Sequence, residues 1–99
     1  MLVITGTIRI RPDALEAARP IMRAVLEASR AEKGCLLYAY ALDVLDPGLI
    51  RISEQWESME DLKAHAASAH IATWRSHAEE LGVHDRKLQI HEVSATRDL

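Results

Sequence analysis

The stretch Leu49–Glu57, LIRISEQWE, constrains the fold of this chain most tightly. Ile50, Ile52, Glu54 and Trp56 fall at alternate positions, with Arg51, Ser53, Gln55 and Glu57 between them. Successive strand side chains point to opposite faces, so the pattern predicts a strand with one buried face. Asp46-Pro47-Gly48 before it is a turn signal, and Cys35–Asp43 before that is rich in Leu and Tyr. The two strands therefore form a hairpin. Glu54 lies on the apolar face beside Ile52 and Trp56. A buried carboxylate needs a partner, or its pKa rises. It is either a base or anion-tuning group, or a structural carboxylate tied to backbone amides or an Arg near the sheet edge. Trp56 alone reads as core, with an indole N–H in need of an acceptor.

The flanking segments supply the rest of the plan. Leu2–Arg11 reads as a strand with Leu2, Ile4, Ile8 and Ile10 on one side and Gly6 between them. Pro12-Asp13 ends it. Asp13 and Glu16 have the spacing of a capping box. Ala14, Leu15, Ala17, Ala18, Ile21, Met22, Val25 and Ala28 then form a helical stripe. Pro20 removes a hydrogen bond to the Glu16 carbonyl, which predicts a kink. Lys33-Gly34 ends that helix. Ser58, with Asp61 three residues on, starts a second helix through Leu62–Ala67. Ser68 caps a further segment from Ala69 to Leu81, and Gly82 stops it. Lys87–Ala95 reads as the last strand.

The order is β-α-β-β-α-β, the split βαβ or ferredoxin-like α+β plan with an antiparallel sheet. Helices cover one sheet face and leave the other bare. A bare apolar face in so small a domain asks for a partner, and a second copy packed face to face is the simplest one. Ninety-nine residues predict a single domain, 1–99.

Composition narrows the function. With two Trp, two Tyr and no Phe, aliphatic side chains must fill the core. A net charge of −3 with scattered Lys and Arg gives no footprint for nucleic acid. Cys35 has no partner for an internal disulfide. No apolar run is long enough to span a bilayer, and the N-terminus lacks the pattern of a signal peptide. A soluble cytoplasmic protein is expected. No Gly-rich phosphate loop or nucleophile elbow occurs.

The histidines are ambiguous from spacing. His65 and His70, five apart, diverge by about 140° on one continuous helix, and a break at Ser68 would be needed to bring them together. His65 lies one turn after Asp61, which suggests a carboxylate–imidazole pair. His70, Trp74, His77 and Leu81 fall along one stripe. No Cys/His cluster has metal-ligand spacing, so no metal site is expected. Tyr38 and Tyr40 share a strand face and either line a pocket or cover the core.

Glu54-Gln55-Trp56-Glu57-Ser58, followed by Leu62, Ala64-His65 and Ala69-His70, resembles the signature of the antibiotic biosynthesis monooxygenase family. The opening VITGTIRIRPD and the EKGCLLYAYALD strand also fit. The likeness covers nearly the whole chain and is closest to the bacterial quinol monooxygenase branch. It implies a dimeric α+β barrel with one pocket per subunit between sheet and helices. It also implies oxygenation without flavin, haem or metal. The actinorhodin-type branch uses an Asn, a Trp, a Tyr and an Arg. Trp56 and Arg75 match two of these, and Ile52 and Leu62 stand at the others. The haem-degrading branch needs a proximal His, a Trp and an Asn, where this chain has Arg75, His65 and Gly6. A branch that isomerises a phosphorylated compound shares the paired histidines.

The expected function is therefore cofactor-independent oxidation of a quinol or related polyphenol by O2, in a homodimer paired through the open sheet face. His65 or His70 is the expected base or anion stabiliser and Trp56 the pocket wall. Glu54, Arg75, Tyr38 and Trp74 are the expected substrate contacts. An isomerase of a small phosphorylated carbonyl compound is the alternative, lowered because no cluster of basic residues is visible for a phosphate. A non-catalytic dimeric binding or stress protein is the other.

Overall fold

The structure, a computed structural model, describes residues 1–99. Its elements are β1 (Leu2–Arg9), a 3-10 turn (Pro12–Ala14), α1 (Leu15–Arg30), β2 (Cys35–Leu42), β3 (Leu49–Trp56), α2 (Met59–Ala66), α3 (Ala69–Ser76), α4 (Ala78–Leu81) and β4 (His84–Glu92). The strands form one sheet in the order β2-β3-β1-β4, antiparallel throughout. This is the ferredoxin-like α+β arrangement, with its second helix in three pieces.

Register explains which side chains face the helices. Leu2, Ile4, Gly6 and Ile8 of β1 stand opposite Trp56, Glu54, Ile52 and Ile50 of β3. On the other side Ile4 and Gly6 stand opposite Ile90 and Leu88 of β4. A Cβ on Gly6 would collide with the Lys87 carbonyl and with Leu88. Only glycine there lets β4 close on β1. The aliphatic core, built on Ile8, Ile10, Ile50 and Ile52, packs against Ala14, Ala18 and Met22 at the α1 side and Leu81 of α4.

Local chemistry departs from the sequence reading at several places. The Asp13–Glu16 capping box does not form. The 3-10 turn satisfies that backbone first, with Ala14 N donating to the Arg11 carbonyl at 2.9 Å. Asp13 and Glu16 instead accept from Arg11 and Arg19. Helix α1 continues through Pro20 as one element, Leu15–Arg30. The segment expected over Ala69–Leu81 divides at His77, whose N–H bonds back to the Trp74 carbonyl at 3.1 Å. Strand β4 starts three residues before the expected Lys87 and ends three before Ala95. A bulge permits the early start: Thr7 pairs with Lys87 but Arg9 with His84, and Asp85 takes the left-handed φ of 52°.

The open face is not the apolar surface the pattern predicted. Thr5, Thr7, Ala39, Ala41, Ser53, Gln55, Lys87, Gln89 and His91 alternate with the inward residues on the four strands. It is mostly small and polar in character, with Val3, Leu37 and Leu49 its larger apolar members.

Candidate functional site

At the end of the sheet formed by Leu2, Tyr38 and Trp56, burial becomes polar. Trp56 is fully buried, and Glu54, at 6% exposure, is nearly so. The indole Nε1–H of Trp56 donates to Glu54 Oε1 at 2.9 Å. One bond thus answers both needs seen in the sequence, and the carboxylate's partner is neither a backbone amide nor an Arg. Burial still pushes the Glu54 carboxyl above its ordinary pKa, against the indole bond and the nearby His65 and Arg86.

His65 of α2, 5% exposed, packs beside this pair with its ring tilted against the indole. Its ring centroid lies 4.7 Å from Trp56 and 5.1 Å from Tyr38. Its Nδ1 meets Glu32 Oε1 at 2.7 Å, and His70 Nε2 meets the same oxygen at 2.6 Å. The helix break at Ser68 turns His70 back toward His65. Ser68 Oγ donates to the His65 carbonyl at 2.6 Å and accepts from the Ile71 N–H at the start of α3. The expected Asp61–His65 pair does not form. Asp61 takes part in the α2 cap, accepting from Ser58 Oγ at 2.9 Å and offering its N–H to that oxygen at 3.1 Å.

Glu32 was invisible in the sequence because its place depends on the turn after α1. Gly34 there has φ of 78°, and a Cβ would strike the Asp61 carboxylate. Its carbonyl accepts from the Glu57 N–H at 2.9 Å. The turn is thereby pinned between the end of β3 and the start of α2, which puts Glu32 one helical turn along from Asp61, at His65.

Between this cluster and the helices lies a cavity of about 450 Å³. Tyr38, Tyr40 and Glu54 line its sheet side, His65 and Trp74 its helix side, and Arg75 and Arg86 also border it. The Tyr38 and Tyr40 hydroxyls bond to each other at 3.1 Å. Burial raises both phenol pKa values, so these hydroxyls stay protonated and act as hydrogen-bond groups. Neither Arg75 nor Arg86 has an acidic partner at ion-pair distance. Two expected residues stand elsewhere. Trp56 is behind His65 and not on the cavity wall. His70 borders a groove between α1 and α3, with Trp74 and His77. Trp74 is shared by groove and cavity.

The Antibiotic biosynthesis monooxygenase family model matches residues 1–77. The chain belongs to this family. Rv0793 of Mycobacterium tuberculosis, named provisionally as a monooxygenase, is 34% identical over 71 residues, which are 72% of this chain and 69% of that protein. A Deinococcus radiodurans structure, assigned provisionally to the antibiotic biosynthesis monooxygenases, superposes with a TM-score of 0.91 at 25% identity. That match covers 100% of this chain and 98% of the other. PA3566 of Pseudomonas aeruginosa superposes with a TM-score of 0.84 at 31% identity, covering 95% and 94%.

The sequence reading of this antibiotic biosynthesis monooxygenase family member did not single out Glu32, which joins the two histidines, or Arg86, which borders the cavity. Arg86 escaped because β4 was expected to begin one residue after it. No helix is long and apolar enough to cross a membrane.

Proposed function

We propose that this chain is a cofactor-independent monooxygenase that oxidises a quinol or related polyphenol with O2, residues 1–99 acting as one domain in a cytoplasmic homodimer. The observation that carries the proposal is the setting of His65. Its Nδ1–H is held by the Glu32 carboxylate, and its other nitrogen makes no hydrogen bond within the chain while the ring lines the cavity. That fixes the tautomer with a lone pair on Nε2, ready to take a phenolic proton.

The chemistry then needs little more from the protein. The phenolate gives an electron to O2, and the resulting radical pair joins at a ring carbon that bears hydrogen. The protonated hydroperoxide loses water across its C–H and O–O bonds and leaves a carbonyl. One oxygen atom ends in product and the other in water, with all electrons drawn from substrate. The apolar wall keeps water away, and Arg75 or Arg86 stabilises the phenolate. Tyr40 and Trp74, in aromatic contact with ring centroids 6.1 Å apart, present ring surface to the cavity on which a flat substrate can pack.

Oxygen uptake by chelator-treated protein tests this, with reduced naphthoquinols and polyphenols as substrates and a no-protein blank. Uptake above the blank that falls in His65→Gln is expected. Uptake equal to the blank across the panel overturns the proposal. Arg75 and Arg86 support one alternative, an isomerase for a phosphorylated carbonyl compound, because together they supply the basic pair the sequence did not reveal. That reading requires turnover without oxygen. Pairing through the open face rests on its small side chains, which let a second sheet approach. Light scattering should give twice the 11.1 kDa chain mass, and Ala39→Arg should return it to the single value. A monomeric wild type would refute the pairing.

A further inference from the structure

We propose that Glu32, His65 and His70 form a binding site for a zinc-class divalent cation, and that its occupancy silences His65. The three offer one ligand atom each, and all three atoms lie within 4.8 Å of one another. Two imidazoles and a carboxylate are a donor set that suits zinc and its neighbours, not calcium or magnesium. The donors come from three places: the turn after α1, the last turn of α2 and the start of α3. Each is fixed by its own backbone features, the Gly34 turn, the Ser58 cap and the Ser68 cap. A convergent donor set of this kind is what the five-residue spacing argued against on a straight helix.

The geometry is close to what a metal requires. Bonds of about 2.0–2.2 Å in a tetrahedral site set ligand atoms roughly 3.4 Å apart. Glu32 Oε1 is now 2.7 and 2.6 Å from the two nitrogens, so the carboxylate must withdraw by about 0.7 Å. Its other oxygen makes no hydrogen bond, so it is free to turn. The side chains of Glu32 and His70 are 17% and 24% exposed, which leaves an entry path and room for water as a fourth ligand. Ser68 Oγ, 3.2 Å from His70 Nε2, is placed to hold that water.

The consequence for His65 rests on the function proposed above. A cation on Nδ1 displaces the Glu32 hydrogen bond, and the neutral ring then carries its proton on Nε2. The nitrogen that makes no bond within the chain becomes a donor and no longer accepts a proton from substrate. Occupancy and base catalysis exclude each other.

The binding half is tested without any turnover. Chelator-treated full chain is titrated with Co2+, which reports tetrahedral coordination by visible absorption, and Zn2+ is then added to displace it. One cation per chain is expected, with affinity falling at least tenfold in His70→Gln and in Glu32→Gln. His91→Gln, on the open face, should bind as wild type. Circular dichroism establishes that each variant is folded, and the two ligand variants guard against failure of either. Absence of Co2+ absorption, or binding that survives both ligand substitutions, overturns the site. Oxygen uptake that falls in proportion to Zn2+ occupancy supports the silencing, and full occupancy with unchanged uptake overturns it. If no substrate is oxidised at all, the proposed function fails while the Co2+ titration still decides the site.

Discussion

The two halves of the layer between sheet and helices are built on opposite terms. One half, around Ile8, Ile10, Ile50, Ile52, Ala18 and Leu81, has no polar or aromatic side chain among its fully buried members, and Tyr40 and Trp74 pack at its edge. The other, around Leu2, Ile4, Tyr38 and Trp56, is small and has Glu54 and His65 buried beside it. The same strands serve both: Ile50 and Trp56 are ends of one face of β3. Aliphatic burial stabilises by roughly 1.5–3 kcal/mol per side chain. Burying a carboxylate and an imidazole costs free energy unless each is bonded. The aliphatic half therefore holds the fold together, and the polar half depends on the Trp56 and Glu32 partners that offset the burial of Glu54 and His65.

The sharpest way to break this comparison is to substitute one residue on each side. His65→Gln should lower oxygen uptake by about 10²- to 10⁴-fold, the usual share of a general base. Thermal unfolding should show the variant still folded. A variant with wild-type turnover removes His65 from the mechanism. Ile50→Ala should do the reverse, costing about 2–5 kcal/mol of stability by leaving a cavity. Its turnover per folded molecule should stay near wild type, because Ile50 lies off the His65 cavity. Denaturant titration checks the first statement and uptake corrected for folded fraction the second.

Trp56→Phe isolates the polar bond from the packing. The ring stays apolar, but Glu54 loses its indole donor, which costs about 1–3 kcal/mol for an unsatisfied buried group. The unfolding free energy measured against wild type gives the number directly. A neutral result would mean that another donor reaches the carboxylate.

Glu54→Gln distinguishes the halves by pH. Burial raises the Glu54 carboxyl above its ordinary 4.5. The folded state then holds its proton more tightly than the unfolded state. This contribution to stability is complete below 4.5 and is lost as pH rises through the raised folded value. Asp43 and Asp46, held down by hydrogen bonds from Arg51 and Arg9, act with the opposite sign. Theirs is present above about 3.8 and lost as pH falls. Subtracting the Glu54→Gln stability curve from that of wild type should leave a difference that declines upward from pH 4.5. A flat difference would show that the indole bond cancels the effect of burial.

What was legible follows from how local each signal is. Alternation in Leu49–Glu57 and the turn at Asp46-Pro47-Gly48 are set by neighbours in sequence, and both strands lie where they were read, to within a residue. Ser58 and Ser68 cap their helices for the same reason. The junction of His65 and His70 is different. It depends on Glu32, which is 33 residues from His65 and reaches it through a turn that only Gly34 permits. The Asp13–Glu16 box failed on a competing local structure, since the 3-10 turn used the same backbone. Arg86 was missed through the bulge at Asp85, which lengthens β4 at its start in a way no periodicity shows.

Tyr38→Phe should give the smallest effect and the finest distinction. It removes one member of the hydroxyl pair at 3.1 Å and keeps the ring that packs, tilted, against His65. A neutral hydrogen bond contributes about 0.5–1.5 kcal/mol, so stability should fall by about that much. The phenol pKa is raised by burial and by Tyr40, so the hydroxyl is protonated at any working pH. It therefore cannot serve as the base, and the pH profile of turnover should keep its shape in the variant. A shifted profile would mean that Tyr38 passes a proton toward Glu54 or His65, and the polar half would then be a relay of several groups, with His65 only one of them.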